Sequence, residues 1–327
     1  MRKILFILLT VFQLAACNQT SRSTKVEQKN VNVPGFSSDS AYQFVQQQVD
    51  FGPRIPNTPA QIACANYLST TLRRFGAEVI EQKTEVKAFD GTLLRCINII
   101  GSYNPKSETR VLLFSHWDSR PWADNDPKAS NHDKPVMGAN DGASGVGVLL
   151  EMARLFGMQQ PAVGVDIIFF DVEDYGTSGN GGGADAEDSW CLGTQYWANH
   201  PHVPGYTAKY GILLDMVGAP QATFLREQIS EHYASHVVTK VWSQAKSLGF
   251  GQYFLDQKGG AITDDHVYVN KIAGIPSIDI IQYDVTTDTG FGSYWHTVDD
   301  TMENIDKNTL KAVGMTLMHV VYNEKTN

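Results

Sequence analysis

The sequence predicts an α/β fold: a mostly parallel, twisted central sheet with helices on both faces, in a single domain. Short, largely apolar runs recur at residues 111–114 (VLLF), 165–170 (VDIIFF), 210–215 (YGILLD) and 275–281 (IPSIDII). Such runs are the mark of strands covered on both faces. Helix-length segments near 143–157, 190–200, 222–248 and 306–323 lie between and after them, and this alternation points to parallel pairing through crossover helices. With 327 residues, 42% of them hydrophobic, the chain can bury a large core.

Taken in order, the chain opens with Arg2 and Lys3, a short apolar run, and Leu14-Ala15-Ala16-Cys17. This resembles a bacterial lipoprotein signal, with residues 1–16 removed and Cys17 carrying the lipid. Residues 17–36 are polar and unpatterned, as expected of a flexible, lipid-anchored tether. The catalytic domain is expected over residues 37–327. The implied location is the bacterial cell envelope, exported to the periplasm and held at a membrane only through the anchor. Within the domain, Thr58-Pro59 is a helix start and Gly76 a stop, combining a capping hydroxyl, a proline at the first helical position and a C-terminal glycine. The net charge of -9 and the lack of a Lys/Arg run exclude nucleic acid as principal partner. Of four cysteines, Cys64, Cys96 and Cys191 remain after Cys17. Their spacings are not those of structural zinc, so they are expected as buried small hydrophobes.

The apolar strands end in polar, chemically capable residues. VLLF runs into Ser115-His116-Trp117-Asp118, VDIIFF into Asp171-Val172-Glu173-Asp174, and YGILLD ends at Asp215. Asp141 stands before a helix, where it is also a natural N-cap, and His296 lies in a late loop. In open α/β sheets ligands bind beyond the carboxyl ends of the strands. Acids placed there beside apolar strands cost several kcal/mol each unless compensated. Imidazole and carboxylate without thiolate make a zinc-type site. The Gly-rich stretch 176–189 lacks phosphate-loop spacing and is expected at the rim of the site.

HWDS (116–119), NDGASGVGVLLEMAR (140–154), the strand ending in Glu173-Asp174, and WHTVDDTMENID (295–306) together resemble the M28 zinc aminopeptidase superfamily over nearly the whole mature chain. SHWDSRPWADND (115–126), LLDMVGAP (213–220), ITDDHVYV (262–269) and YWHTVDD (294–300) resemble more specifically the animal-type glutaminyl-peptide cyclotransferases. That resemblance implies a zinc aminopeptidase-like α/β/α fold and zinc held by Asp141, Asp174 and His296. It also implies Glu173 as acid/base, Asp215 and Asp264 as a hydrogen-bonded acid pair, and Trp295 as a pocket wall. Many relatives have Glu where this chain has Asp174. A second pocket tryptophan lacks a clean counterpart, and Trp190 is its candidate.

The implied activity is conversion of an N-terminal Gln of peptides and exported proteins to pyroglutamate with release of ammonia. One zinc per chain is expected, and a monomer. The alternative is a dinuclear zinc aminopeptidase of the M28 type, with His116 and Asp215 holding a second metal. A peptide-binding protein without turnover is a further alternative, which Glu173 argues against, having no structural need.

Overall fold

Alternate residues along the four apolar strands face two different layers of helices. One layer takes Val111, Leu113, Val165, Ile167, Phe169, Ile212, Leu214, Ile278 and Ile280 into the larger core. The other takes Leu112, Phe114, Ile168, Phe170 and Leu213 into a smaller one. Strands buried on both faces need apolar residues at every position, and the expected runs supply them. The structure, a computed structural model, describes residues 31–178 and 188–326, and the fold belongs to the unit Asn32–Asn327. The signal, Cys17, most of the tether and part of the Gly-rich stretch lie outside the described residues.

Six strands form the main sheet in the order β1-β2-β4-β3-β5-β8. They are β1 (Glu78–Lys87), β2 (Leu93–Tyr103), β3 (Arg110–His116), β4 (Gly164–Phe170), β5 (Gly211–Asp215) and β8 (Ser277–Ile281). β4, β3, β5 and β8 are mutually parallel, as expected. β1 and β2 add an antiparallel edge that the sequence pattern does not foretell, because β1 (EVIEQKTEVK) is polar and half exposed throughout. β6 (Phe224–Arg226) and β7 (Phe254–Lys258) form a separate pair.

Seven α-helices are described: α1 (Ser38–Val49), α2 (Pro59–Arg74), α3 (Ala143–Met158), α4 (Leu192–Asn199), α5 (Gln228–Ser247), α6 (Asp265–Lys271) and α7 (Lys307–Tyr322). Residues of α1, α2, α3, α5 and α7 fill the larger core, and residues of α4 and α6 the smaller. α2 starts and stops as expected: the Thr58 side chain accepts from the Gln61 amide, and Gly76 has φ of +84°. β3 lies between β4 and β5: the chain runs from β3 to β4 on one side and then crosses to β5 on the other. This is the switch point at which such sheets open a crevice.

The segment 222–248 is expected as one helix but divides into β6 and α5. Glu227 causes the break. Its carboxylate accepts from the Ile229 and Ser230 amides as the N-cap of α5, from the Ile262 amide, and stands 3.2 Å from Nε2 of His266. Cys64, Cys96 and Cys191 are buried free thiols, as expected.

Burial raises the proton affinity of Glu227, yet the His266 ring and the two cap amides outweigh it and hold the carboxyl at about 2, below its ordinary 4.5. A carboxylate held down in the folded state contributes stability above pH 4.5 and loses it as the pH falls toward 2. Glu227→Ala is therefore expected to cost about 2 kcal/mol at neutral pH through the lost cap and the orphaned His266. The penalty should be smaller at pH 3, as urea unfolding at the two pH values will measure.

Candidate active site

The site gathers on the carboxyl ends of β3, β4 and β5, where the sequence places its acids. His116 is the last residue of β3 and Asp215 the last of β5. Glu173 and Asp174 follow β4, and Asp141 precedes α3. His296 arrives from the loop after β8. All six come together.

Two groups of potential metal ligands result, Asp141–Asp174–His296 and His116–Asp141–Asp215, each with its ligand atoms within 4.8 Å of one another. In the first, Nε2 of His296 lies 3.1 Å from Asp174 Oδ1 and 3.5 Å from Asp141 Oδ2. Metal–ligand bonds of about 2.0–2.2 Å at tetrahedral angles set ligand atoms about 3.3–3.5 Å apart, so a zinc fits between them. Asp174 Oδ1 is buried and, beyond this proximity, has no well-formed hydrogen bond. On the far side of the ring, Nδ1 of His296 faces Asp124 at 3.5 Å, the arrangement that orients a ligating imidazole.

The second group is closed on itself. Nε2 of His116 lies 3.0 Å from Asp141 Oδ1 and is hydrogen-bonded to Asp215 Oδ1 at 3.2 Å. Its Nδ1 faces Asp118 at 3.5 Å and Glu173 at 3.7 Å. Burial works against charge on His116, but Glu173 and the surrounding aspartates outweigh it and hold the ring well above its ordinary range.

Glu173 stands beside both groups. Burial, with Asp174 and Asp264 nearby, pushes its carboxyl well above the usual range despite the opposing pull of His116. The Cys191 thiol donates to its Oε1 at 3.4 Å. Asp264 caps α6, accepting from the Asp265 amide at 2.5 Å. Burial first and the Asp215 charge second raise Asp264 well above its ordinary range. Asp279 lies close to Asp264, their carboxylates within 4.8 Å of each other and of the His266 ring, and burial with the Asp264 charge raises it well above its ordinary range. Asp215 bears on Asp264 through its charge, and Asp279 adds a third buried acid beside them. Asp279 escapes a reading of the sequence because it sits inside the apolar strand β8, where a lone acid carries no motif.

The two tryptophans flank His296. Trp295 stacks on the His296 ring with centroids 3.8 Å apart, and Trp190 stacks at 5.9 Å and 12°. The Trp190 ring lies so close over Gly176 that a Cβ there would meet it at 2.0 Å.

Other charged residues serve as scaffold. Asp118 accepts from the Glu173 and Asp174 amides at 3.1 Å each, fixing the turn that carries both acids. Asp171 turns back into the sheet and accepts from the Ile97 and Val172 amides and the Gln61 side chain. Asp141 does not cap α3. Gly142 occupies the cap position without a side-chain bond, at φ of +92°, where a Cβ would lie 2.7 Å from the Asp118 carbonyl and 3.0 Å from the His116 ring. Asp141 is thereby left free to face the histidines.

Two buried arginines do not stand out in the sequence: Arg54 lies far from the acids, and Arg120, although inside SHWDSRPWADND, carries no sign there of what it would contact. Arg54 donates to the carbonyls of Trp117, Met137 and Gly138. Arg120 donates to the Asp174 carbonyl at 3.0 Å and pairs with Asp124 at 2.6 Å. Asp300, the second acid of the late WHTVDD motif, accepts from the Asn140 amide at 2.8 Å and the Asp141 amide at 3.0 Å.

Four non-glycine residues at these junctions have left-handed backbone: Val172 (φ +55°), Cys191 (+56°), Met216 (+48°) and His296 (+53°). Such conformations cost about 1–3 kcal/mol each and persist where surrounding contacts over-determine them. Each sits in or next to a site residue.

The model of the Peptidase family M28 matches residues 98–321. The chain belongs to peptidase family M28. It is 56% identical to the glutaminyl cyclase of Bacteroides thetaiotaomicron, whose crystal structure with N-acetylhistamine bound aligns at a TM-score of 0.88 over 90% of this chain and 100% of that one. A Zn-dependent exopeptidase from Parabacteroides distasonis is 58% identical, with a TM-score of 0.88 over 90% of this chain and 100% of that one. The bovine glutaminyl-peptide cyclotransferase is 25% identical over 334 residues, 87% of this chain and 85% of the bovine one. M28 relatives of nearly equal similarity thus carry the names of two activities.

Asp300→Ala leaves the Asn140 and Asp141 amides without their acceptor inside the fold. It is expected to destabilise the protein by about 2–4 kcal/mol, from two unpaired buried donors. Denaturant unfolding checks this.

Proposed function

We propose that the chain is a zinc-dependent glutaminyl-peptide cyclotransferase, acting on peptides and exported proteins with N-terminal Gln. The observation that carries this reading is the unequal state of the two ligand groups. In Asp141–Asp174–His296 the buried Asp174 Oδ1 has no well-formed hydrogen bond beside a point where a cation fits, whereas His116 and Asp215 are hydrogen-bonded to each other. The similarity to glutaminyl cyclases adds support.

Cyclisation joins the α-amine nitrogen of the N-terminal Gln to its own γ-amide carbon and breaks the bond from that carbon to the amide nitrogen, which leaves as ammonia. A zinc on Asp141, Asp174 and His296 would supply a Lewis acid for the γ-amide oxygen. Glu173, buried beside that group, takes the proton from the attacking amine and returns it to the departing nitrogen, for which a raised proton affinity is suited. Burial and the Asp215 charge hold Asp264 well above its ordinary range, so it keeps its proton, because neighbouring buried carboxyls cannot both ionise cheaply. That leaves Asp264 able to help Asp215 orient the amide nitrogen. The Trp190 and Trp295 rings beside His296 exclude water. Exclusion matters, since hydrolysis of the amide would give Glu.

The second reading is a dinuclear aminopeptidase, favoured by the sharing of Asp141 between the two groups. In such an enzyme a second metal can anchor the α-amine. In a cyclase this would remove the nucleophile's lone pair. One zinc per chain is therefore proposed. The lipid anchor on Cys17, the monomeric state and the envelope location remain proposals from the sequence. Among the described residues no helix is long and apolar enough to cross a membrane.

Glu173→Gln is expected to keep zinc and fold while lowering turnover by about 10²–10⁴-fold, the usual worth of a general acid–base. Wild-type rates in that variant would remove Glu173 from the mechanism. Asp174→Ala and His296→Ala should instead lose zinc, measured by elemental analysis of the purified variants. Offering Gln-initiated and Leu-initiated peptides decides between the two readings. Ammonia from the first with about one zinc per chain supports the cyclase, and free Leu with two tightly held zincs supports the peptidase.

A further inference from the structure

An unbroken series of ring contacts leads from His296 out to solvent. Trp190 stacks on His296. The Arg120 guanidinium lies over the Trp190 ring at 4.7 Å and over the Trp122 ring at 5.1 Å, so it is held between the two tryptophans. Trp122 meets Tyr175 edge-on at 5.1 Å, and Phe89 touches both, at 6.3 Å each. Phe89 is 48% exposed. It stands on the turn between β1 and β2, and Tyr175 directly follows Asp174. The turn is held toward the site by the Tyr175 hydroxyl, which donates to Asp90 at 3.3 Å.

Packing explains the inner part of this series, where the cation–ring contacts and the Asp124 ion pair satisfy Arg120. It does not explain the outer part. An aromatic ring nearly half exposed at the tip of a hairpin is left in water although a polar residue would serve the turn equally well. The charge of Arg120 is answered by Asp124, so the guanidinium between the tryptophans does not make the surface toward the tip cationic.

We infer that Phe89, Tyr175 and Trp122 form a ledge that takes the apolar, preferably aromatic, side chains of the second and third residues of the Gln-initiated peptide. This rests on the cyclase reading and deepens it. In that reaction the α-amine and the γ-amide of the first residue are used at Glu173 and the ligand group. The peptide can therefore leave only through its C-terminal continuation. An extended chain advances about 3.3–3.6 Å per residue, and the ledge begins at Tyr175, the residue next to Asp174 of the ligand group, with Phe89 one ring contact of 6.3 Å further out. Two residues thus bring side chains over the ledge.

The test compares kcat/KM for Gln-Phe-Phe and Gln-Ala-Ala, read by ammonia release, in the zinc-loaded wild-type enzyme and in Phe89→Ala and Phe89→Tyr. Wild type is expected to favour Gln-Phe-Phe by about fivefold or more, the scale of a ring–ring contact with its burial. Phe89→Ala should reduce that ratio by about threefold or more, mostly through KM, and Phe89→Tyr should keep it. A merely structural Phe89 would lower both rates together and leave the ratio unchanged, which overturns the ledge. A wild-type ratio near one overturns it too, while ammonia from both peptides keeps the cyclase reading. Ammonia from neither peptide takes both readings down.

Discussion

Everything in this chain is arranged around a concentration of buried carboxylates at the carboxyl edge of an apolar sheet. Asp118, Asp141, Asp174, Asp215, Asp264, Asp279 and Asp300 are all buried. An uncompensated buried charge costs several kcal/mol even after the protein relaxes. The cluster therefore survives only because each member has found an answering group. Asp118 and Asp300 take pairs of backbone amides, burial and neighbouring carboxylate charge push Asp264 and Asp279 well above the usual carboxylate range, and Asp215 takes His116. The carboxylates of Asp141 and Asp174 have histidine edges and, at 3.5 Å from Asp174 Oδ1, the Arg120 guanidinium, but no backbone amides among the described residues. They are the two acids for which a metal would do most.

That division of labour separates support from chemistry. Acids with amide partners hold the backbone: Asp118 ties the 173–174 turn to β3, and Asp300 ties the 140–141 turn to the late loop. Acids without such partners face the crevice. The left-handed residues Val172, Cys191, Met216 and His296 mark where the chain is bent from strand to site. The bends are sustained by neighbouring pairings such as those of Cys191 and Leu192 amides to the Glu173 and Val172 carbonyls at 3.0 and 2.9 Å. Stability stored in the doubly covered sheet is what permits strained turns at its edge.

The parallel half of the sheet was legible because two-sided burial demands continuous apolar runs, a signal that survives in a single sequence. The β1–β2 edge was not, since its outer strand is polar on a half-exposed surface. Within the site, the residues at strand ends could be read from position alone: His116, Asp174 and Asp215 lie where apolar runs stop. Arg54, Arg120 and Asp279 could not, for opposite reasons. The arginines come from loops whose sequence says nothing about where they fold back, and Asp279 is hidden inside a strand that otherwise reads as pure core. Asp141 was legible as a site residue but ambiguous as a cap. The ambiguity is settled by Gly142, whose missing side chain lets the His116 ring and the Asp118 carbonyl close against the start of α3.

The same scaffold can serve hydrolysis or cyclisation, because both need a polarised carbonyl and a buried base beside it. What differs is the origin of the nucleophile. A hydrolase must admit and activate water, while a cyclase must keep water out and leave the substrate's own amine unbound. In this chain the groups that would hold a second metal are engaged with each other, and rings from two distant segments, Trp190 and Trp295, crowd His296. Both features act in one direction, reducing the means of capturing an amine and the room for water. A site built this way loses little by keeping the superfamily's carboxylates, since His116 neutralises the set that a second cation would otherwise neutralise.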